Sequence, residues 1–103
     1  MGDILEAINR ITEYTSGYSW DRFITDNKTQ DAVIRNLEII GEATKRLSSE
    51  FRTTHTDIPW REMAALRDRL IHNYFGINTE ILWEIVQHDL PAVLPELTKI
   101  SDK

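Results

Sequence analysis

The stretch from Lys28 to Glu50, KTQDAVIRNLEIIGEATKRLSSE, decides the fold because it predicts a long helix with a very wide apolar surface. At about 100° per residue, its charged side chains fall in one narrow arc, formed by Arg35, Glu38, Glu42, Lys45 and Arg46. Apolar side chains fill most of the remainder: Ala32, Val33, Leu37, Ile39, Ile40, Ala43 and Leu47. Such an arc needs two partners. One can be the domain's own core and the other a second subunit, with Gly41 permitting close approach; a central helix in a monomeric bundle fits the pattern equally well.

The N-terminal region predicts one further amphipathic helix. Apolar residues recur at helical spacing from residue 4 to residue 15, so this helix should run from about Asp3 into the break at TSGY. The segment SWDRFITDN then reads as a loop or a single short turn. Within it, Ser19 and Asp26 are candidate helix caps.

A third helix is predicted from about Pro59 to Phe75. The tripeptide Asp57-Ile58-Pro59 is a start signature, since an acid can cap the helix and proline is tolerated in its first turn. Gly76 is a plausible residue to close it.

A fourth helix should open at Asn78 or Thr79 and be kinked by Pro91 and Pro95, or divided near Asp89. No segment alternates convincingly with a period of two residues. The predicted fold is therefore all-α, an antiparallel bundle of four main helices in a single domain spanning residues 1–103.

Composition and net charge narrow the range of functions that this protein can have. The chain has 103 residues, 41% of them hydrophobic, with no cysteine and a formal net charge of −5. Since nucleic-acid binding depends largely on cations facing phosphates, any such binding must rest on a few locally concentrated basic residues. The sequence contains neither an apolar run long enough to span a membrane nor the pattern of a signal peptide, so a cytoplasmic protein without membrane contact is expected.

The stretch LRDRLIHNYFG, residues 66–76, carries the most unusual pattern. In the predicted third helix, Arg67 projects from the middle of an apolar face, which is costly unless the charge is paired or opens onto a solvated interface. Arg69 lies on the opposite, polar side and resembles an ordinary solvated residue.

Two pairs of side chains align along this helix. Arg67 and Tyr74 are seven residues apart, and Asp68 and His72 are four apart. Asp68 and the helix C-terminus should both favour a protonated His72 and raise its pKa, which suits proton exchange near neutral pH. These residues alone also fit a second interpretation, in which the arginine is exposed or structurally paired and the His–Asp pair lies on the surface without a catalytic role.

The other histidines and the aromatic residues suggest no further site. His55 and His88 lie in separate segments and fit solvated or capping roles. With no His-x-x-x-His and no carboxylates at ligand spacing, no metal site is predicted. Packing is the expected role of the tryptophans at positions 20, 60 and 83.

The run from Arg67 to Tyr74 resembles the R-x4-H-x-Y signature of the HepT-like ribonucleases, a branch of the HEPN superfamily. The segments AVIRNLEIIGEATKRLS, IPWREMAALRDRLIHNYFGI and LWEIVQHDLP are similar to recurring segments of that family, in the same order. The resemblance therefore covers nearly the whole chain.

This resemblance implies a HEPN-like helical bundle that forms a homodimer, with the motifs of two subunits at a shared cleft. It implies metal-independent cleavage of RNA without a cofactor, by catalytic Arg67 and His72 with Asp68 in support. The protein would be the toxin of a toxin–antitoxin pair. Its partner, an MntA-type nucleotidyltransferase antitoxin, would silence it by transferring AMP to Tyr74. Two alternatives are a non-catalytic subunit that binds a nucleotidyltransferase and its nucleotide or substrate, and a plain dimerisation module.

Overall fold

The computed structural model describes residues 1–70 and 78–101, and within these ranges every regular element is helical. The elements are α1 Gly2–Thr15, α2 Trp20–Ile24, α3 Asn27–Lys45, α4 Ser49–Thr54, α5 Trp60–Ala64, α6 Leu66–Leu70, α7 Thr79–Glu84, a π-helical turn Ile85–Asp89, and α8 Leu90–Ser101. The predicted all-α class is confirmed. No helix in the described ranges combines the length and the apolar composition needed to cross a membrane.

Helix α3 is the centre of the packing. It lies against α1 along much of its length and also contacts α2, α5 and α6. Val33, Leu37 and Ile40 are completely buried on it, each burial contributing roughly 1.5–3 kcal/mol to stability. Helices of the same chain therefore cover much of the apolar arc, which both alternatives require, and Ile39 and Ala43 are only partly buried. Homodimer formation stays a prediction.

Gly41 serves packing inside the chain. A Cβ added at this position would lie 3.5 Å from the carbonyl oxygen of Ala64 and 3.7 Å from that of Met63. These are ordinary van der Waals separations, so α3 and α5 approach closely here without leaving room for much more than a methyl group. The predicted close backbone approach at Gly41 is therefore made by α5 of the same chain.

Both predicted N-terminal caps are present. The Ser19 hydroxyl accepts a hydrogen bond from the Arg22 backbone N–H (3.2 Å) at the start of α2, so the predicted loop contains a short helix. Asp26 caps α3, accepting from the Thr29 backbone N–H (3.0 Å) and from the hydroxyls of Tyr18 and Thr29 (2.7 Å each). These bonds, led by the Thr29 backbone donor, lower the pKa of Asp26 to about 2.

The predicted third helix differs from the structure in two ways. It begins at Trp60 with Pro59 at the cap position, and Asp57 lies upstream as an exposed residue. It is then interrupted at Ala65, where φ is −96° and ψ is 11°, separating α5 from α6. Alanine strongly favours helix, so local preference gives no reason for the break. The part beyond Leu70 lies outside the described residues.

The fourth helical region is interrupted where the prolines predicted. Asn78 caps α7 by accepting from the Ile81 N–H (3.1 Å). The π-helical turn then ends just before Pro91, and the Leu90 N–H donates to the carbonyl of Ile85, five residues back. A wider turn relieves the clash that a proline ring makes with the preceding turn of a regular α-helix. The regular α-helix is therefore interrupted near Asp89, as predicted, but the chain stays helical through this point, and Pro95 lies inside α8 without dividing it.

Candidate active site

Arg67 is exposed on α6. Met63, Leu66 and Leu70 form the buried side of this region, as predicted. Arg67 lies about 60° around the helix from Leu70 and about 100° from Leu66. The other members of the predicted apolar face, Ile71 and Tyr74, lie outside the described residues, so the placement of Arg67 in the middle of that face stays a prediction. Since Arg67 is already in contact with solvent, it bears no large desolvation cost.

The Arg67 side chain lines a small cavity between α3 and the α5–α6 region. The cavity has a volume of about 120 Å³ and is lined by Glu38, Gly41, Glu42, Lys45, Ala64, Arg67 and Asp68. Two predicted site residues, Arg67 and Asp68, thus meet at one place together with the end of α3. The close approach of α3 to α5 at Gly41 brings these helices together.

The two basic residues that line this cavity differ in whether they form an ion pair. The Lys45 ammonium is 3.6 Å from a Glu42 carboxylate oxygen, and both side chains are more than half exposed. Such an exposed pair contributes at most about 1 kcal/mol. Among the residues that the structure describes, the Arg67 guanidinium has no hydrogen-bonding or ion-pair partner.

Arg69 behaves differently from Arg67, two positions away. Its guanidinium forms a hydrogen-bonded ion pair with Asp89 in the π-helical turn. Arg69 is exposed, as predicted, but the ion pair was missed because its two partners lie on helical regions that are distant in sequence. Arg67 and Arg69 thus reach different surfaces of the molecule.

His72 and Tyr74 lie outside the described residues, as do the two helical alignments that involve them. Both assignments stay predictions. The residues on either side of the interval 71–77 are hydrogen-bonded to each other: the Asn78 backbone N–H donates to the Leu70 carbonyl (3.0 Å). The end of α6 is therefore directly joined to the residue that caps α7.

The remaining histidines and tryptophans have the local roles expected of them. The His55 ring packs on Phe51 with centroids 4.7 Å apart, and the exposed His88 lies 3.8 Å from Glu84. Trp20 and Trp83 belong to an aromatic cluster around a buried phenylalanine. Within residues 1–70 and 78–101, no group of three or more histidine or acidic side chains is placed to hold a metal ion.

A second, larger groove adjoins the Arg67 cavity, and sequence reasoning missed it. It has a volume of about 590 Å³, and its basic residues are Lys45, Arg52 and Arg61. These lie on three different helices, so no local spacing relates them. The sequence signal that could have indicated this groove was that the helix patterns gave no role to Arg52 and Arg61.

The comparisons with known proteins define the family. The model of the family described as "Ribonuclease HepT-like" matches residues 4–100. The chain belongs to the HepT-like ribonuclease family. This membership confirms the resemblance that the motif and flanking segments indicated, and it supports ribonuclease activity.

Three relatives of this HepT-like chain match it over most of their own length. "Probable ribonuclease HepT" of Thermococcus cleftensis is 49% identical, covering 95% of this chain and 89% of the relative. "Putative RNase MJ0127" of Methanocaldococcus jannaschii is also 49% identical, over 95% and 81%. "Putative RNase TTE0752" of Caldanaerobacter subterraneus is 41% identical, over 97% and 89%. No solved structure matches the chain significantly.

Proposed function

We propose that this protein is the toxin of a toxin–antitoxin pair and cleaves RNA internally without a metal ion, using Arg67 and His72. Membership of a ribonuclease family supports the reaction class. The observation that carries the assignment is the contrast between two arginines of α6. Arg69 is committed to Asp89, whereas the exposed Arg67 has no carboxylate partner in the described part of the chain and faces a cavity. In this proposal the Arg67 guanidinium binds the phosphate at the mouth of a cavity that Glu38, Glu42 and Asp68 also line.

The proposed chemistry needs only groups that the chain supplies. The ribose 2′-oxygen attacks the adjacent phosphorus and loses its proton to a base; the bond from phosphorus to the 5′-oxygen breaks, and that oxygen receives a proton. His72 carries the proton transfer. Arg67 stabilises the negative charge that develops on the phosphorane, because its planar fork matches two phosphate oxygens. The products are a 2′,3′-cyclic phosphate and a 5′-hydroxyl.

A homodimer would complete the site. Two copies of Arg67 and His72 at one cleft would supply separate proton acceptor and donor groups. They would also concentrate positive potential that the net charge of −5 hides. Asp68, adjacent to Arg67 on the same cavity, is the supporting residue that orients His72.

The first test is cleavage of RNA by unmodified protein in the presence of EDTA. Protein made by cell-free synthesis, without any nucleotidyltransferase, should cut RNA at an unchanged rate when EDTA is added, since no step uses a metal. End-group analysis should find the cyclic phosphate. Complete inhibition by EDTA that added Mg²⁺ reverses would contradict the mechanism. Absence of cleavage under all conditions, with binding to a nucleotidyltransferase retained, would favour the non-catalytic alternative.

The proposed off-switch is AMP transfer to Tyr74 by an MntA-type nucleotidyltransferase antitoxin. An adenylyl group beside Arg67 would add a phosphate and a base where RNA must bind, combining charge repulsion with steric exclusion. A packing role for the tyrosine ring is compatible with this modification.

Co-expression tests the switch directly. With an MntA-type partner and ATP, intact mass should increase by whole adenylyl groups, peptide fragmentation should place AMP on Tyr74, and RNA cleavage should be lost. Tyr74→Phe protein should escape modification and keep cutting. The other tyrosines, Tyr14 and Tyr18, provide matched Phe controls that should still be silenced. Silencing of the Tyr74→Phe variant would contradict this assignment.

A further inference from the structure

We propose that the groove formed by α4, α5 and the adjoining ends of α3 and α6 binds the backbone phosphates of single-stranded RNA and leads the strand to Arg67. The groove volume is about 590 Å³. Its proposed phosphate contacts are Lys45, Ser49, Arg52 and Arg61. This extends the substrate site and rests on the proposed ribonuclease function.

The groove concentrates positive charge on an acidic protein. Three cations line it, against the single carboxylate of Asp68. Arg52 and Arg61 form no ion pair with any residue of the described ranges, and the Arg52 Nε–H is buried without an acceptor there. Because this atom is inaccessible, a ligand in the groove would bind through the other N–H donors of the two guanidinium groups.

A neutral residue of the groove also suits phosphates. The Ser49 hydroxyl lies on α4 in the lining of this groove, and hydroxyls with arginine and lysine side chains are the usual partners of the nucleic-acid backbone. The Thr53 hydroxyl already donates to the Ser49 carbonyl (2.8 Å), so Thr53 lines the groove without a free donor. The groove is wide and open to solvent, as a polymer passing through it requires.

The aromatic residue of the groove is not available for stacking on bases. Trp60 is only 7% exposed, and its indole N–H donates to the His55 carbonyl (2.8 Å). It therefore forms a fixed floor rather than a stacking platform. With phosphate contacts and no base contacts, binding should depend strongly on salt and little on base sequence.

Shared lining residues connect the groove to the candidate active site. Lys45, Ala64 and Asp68 line both the groove and the smaller cavity that contains Arg67. An RNA strand held in the groove would thus pass directly to the Arg67 guanidinium. This continuity favours the substrate as occupant over an acidic protein partner.

Binding should be measured with a 2′-O-methylated, fluorescein-labelled oligouridylate of about 12 nucleotides, a length that single-stranded grooves cover. Methylation removes the attacking hydroxyl, so binding is separated from cleavage. Anisotropy titrations at several KCl concentrations give the affinity and its salt dependence. The double substitution Arg52→Gln, Arg61→Gln should weaken binding about tenfold and reduce the slope of log K against log salt by about 1.4, roughly 0.7 for each lost phosphate contact.

The matched control is Arg10→Gln, Lys99→Gln, which also removes two positive charges, from exposed pairs with Glu6 and Glu96. It should change neither affinity nor slope appreciably. Arg52→Lys, Arg61→Lys should keep the slope. If circular dichroism shows that the double glutamine variant is unfolded, the exposed Arg61→Gln alone should lower the slope by about 0.7.

Several outcomes would overturn the inference. These are absence of RNA binding by the unsubstituted protein, an unchanged slope in the folded glutamine variants, or an equal loss in the control. If the glutamine variants lose binding to a nucleotidyltransferase but still bind RNA normally, the groove is a binding surface for a protein partner instead. The proposed function fails on different evidence, namely RNA cleavage that survives His72→Ala, so the two failures are distinguishable.

Discussion

Substitution of Arg67 by alanine is expected to lower the rate constant for RNA cleavage about 100- to 1,000-fold, the loss typical of removing one preorganised group that stabilises developing charge. Arg67 is exposed on α6 and its guanidinium has no carboxylate partner in the described ranges, so the protein itself should fold normally. The measurement is single-turnover cleavage of a labelled RNA, with thermal unfolding recorded in parallel. Arg67→Lys should recover only part of the rate, because an ammonium cannot hold two phosphate oxygens in a fixed fork.

Arg69→Ala is the matched control for this experiment. It removes an arginine two positions away on the same short helix, where the side chain pairs with Asp89 on another surface. Loss of that half-exposed pair should cost at most about 1 kcal/mol of stability and leave cleavage nearly unchanged. Comparable rate losses in both variants would mean that Arg67 contributes general positive charge and not a specific catalytic contact.

Substitution of His72 by alanine should lower the cleavage rate about 100- to 10,000-fold, the usual contribution of a positioned acid or base. The variant should bind the methylated oligonucleotide with nearly the affinity of the unsubstituted protein, since His72 transfers protons only during the reaction. The pH–rate profile of the variant should also lack the change in rate that accompanies ionisation of the histidine. Added imidazole should restore some of the rate if the substitution leaves an open space.

His88→Ala is the control for His72. His88 is exposed in the π-helical turn and lies near Glu84, so its loss should affect neither the rate nor its pH dependence. Full activity in folded His72→Ala protein would contradict the assignment of proton transfer. Loss of activity together with loss of RNA binding would instead indicate that His72 positions the strand.

The helix pattern of residues 28–50 shows why much of the fold was predictable. Helical hydrogen bonds and side-chain periodicity are local, so spacing alone indicated α3 and its wide apolar arc. Caps at Ser19 and Asp26 and the irregularity before Pro91 follow from equally local chemistry. The interruption at Ala65 was missed because alanine favours helix and nothing nearby signals a break.

The candidate site was predictable only in part. Residue types and spacing identified Arg67 and Asp68, and the structure brings both to one cavity. Spacing placed Arg67 in the middle of an apolar face, and the structure shows that this arginine is exposed beside the buried Leu66 and Leu70. The different role of Arg69 was also inaccessible, because its partner Asp89 lies 20 residues away.

The sequence by itself determined the all-α class, the main helical segments, the motif residues and the resemblance to a ribonuclease family, since these depend on neighbouring residues and recognisable segments. It did not give all the boundaries: the helix predicted to run to Glu50 ends at Lys45, and α4 was not predicted. Tertiary structure alone decided which helix covers Gly41 and which arginine is paired. It also decided that Lys45, Arg52 and Arg61 share a groove. These features depend on distances between separate helices, which are set by how the core packs and leave no periodic trace along the chain.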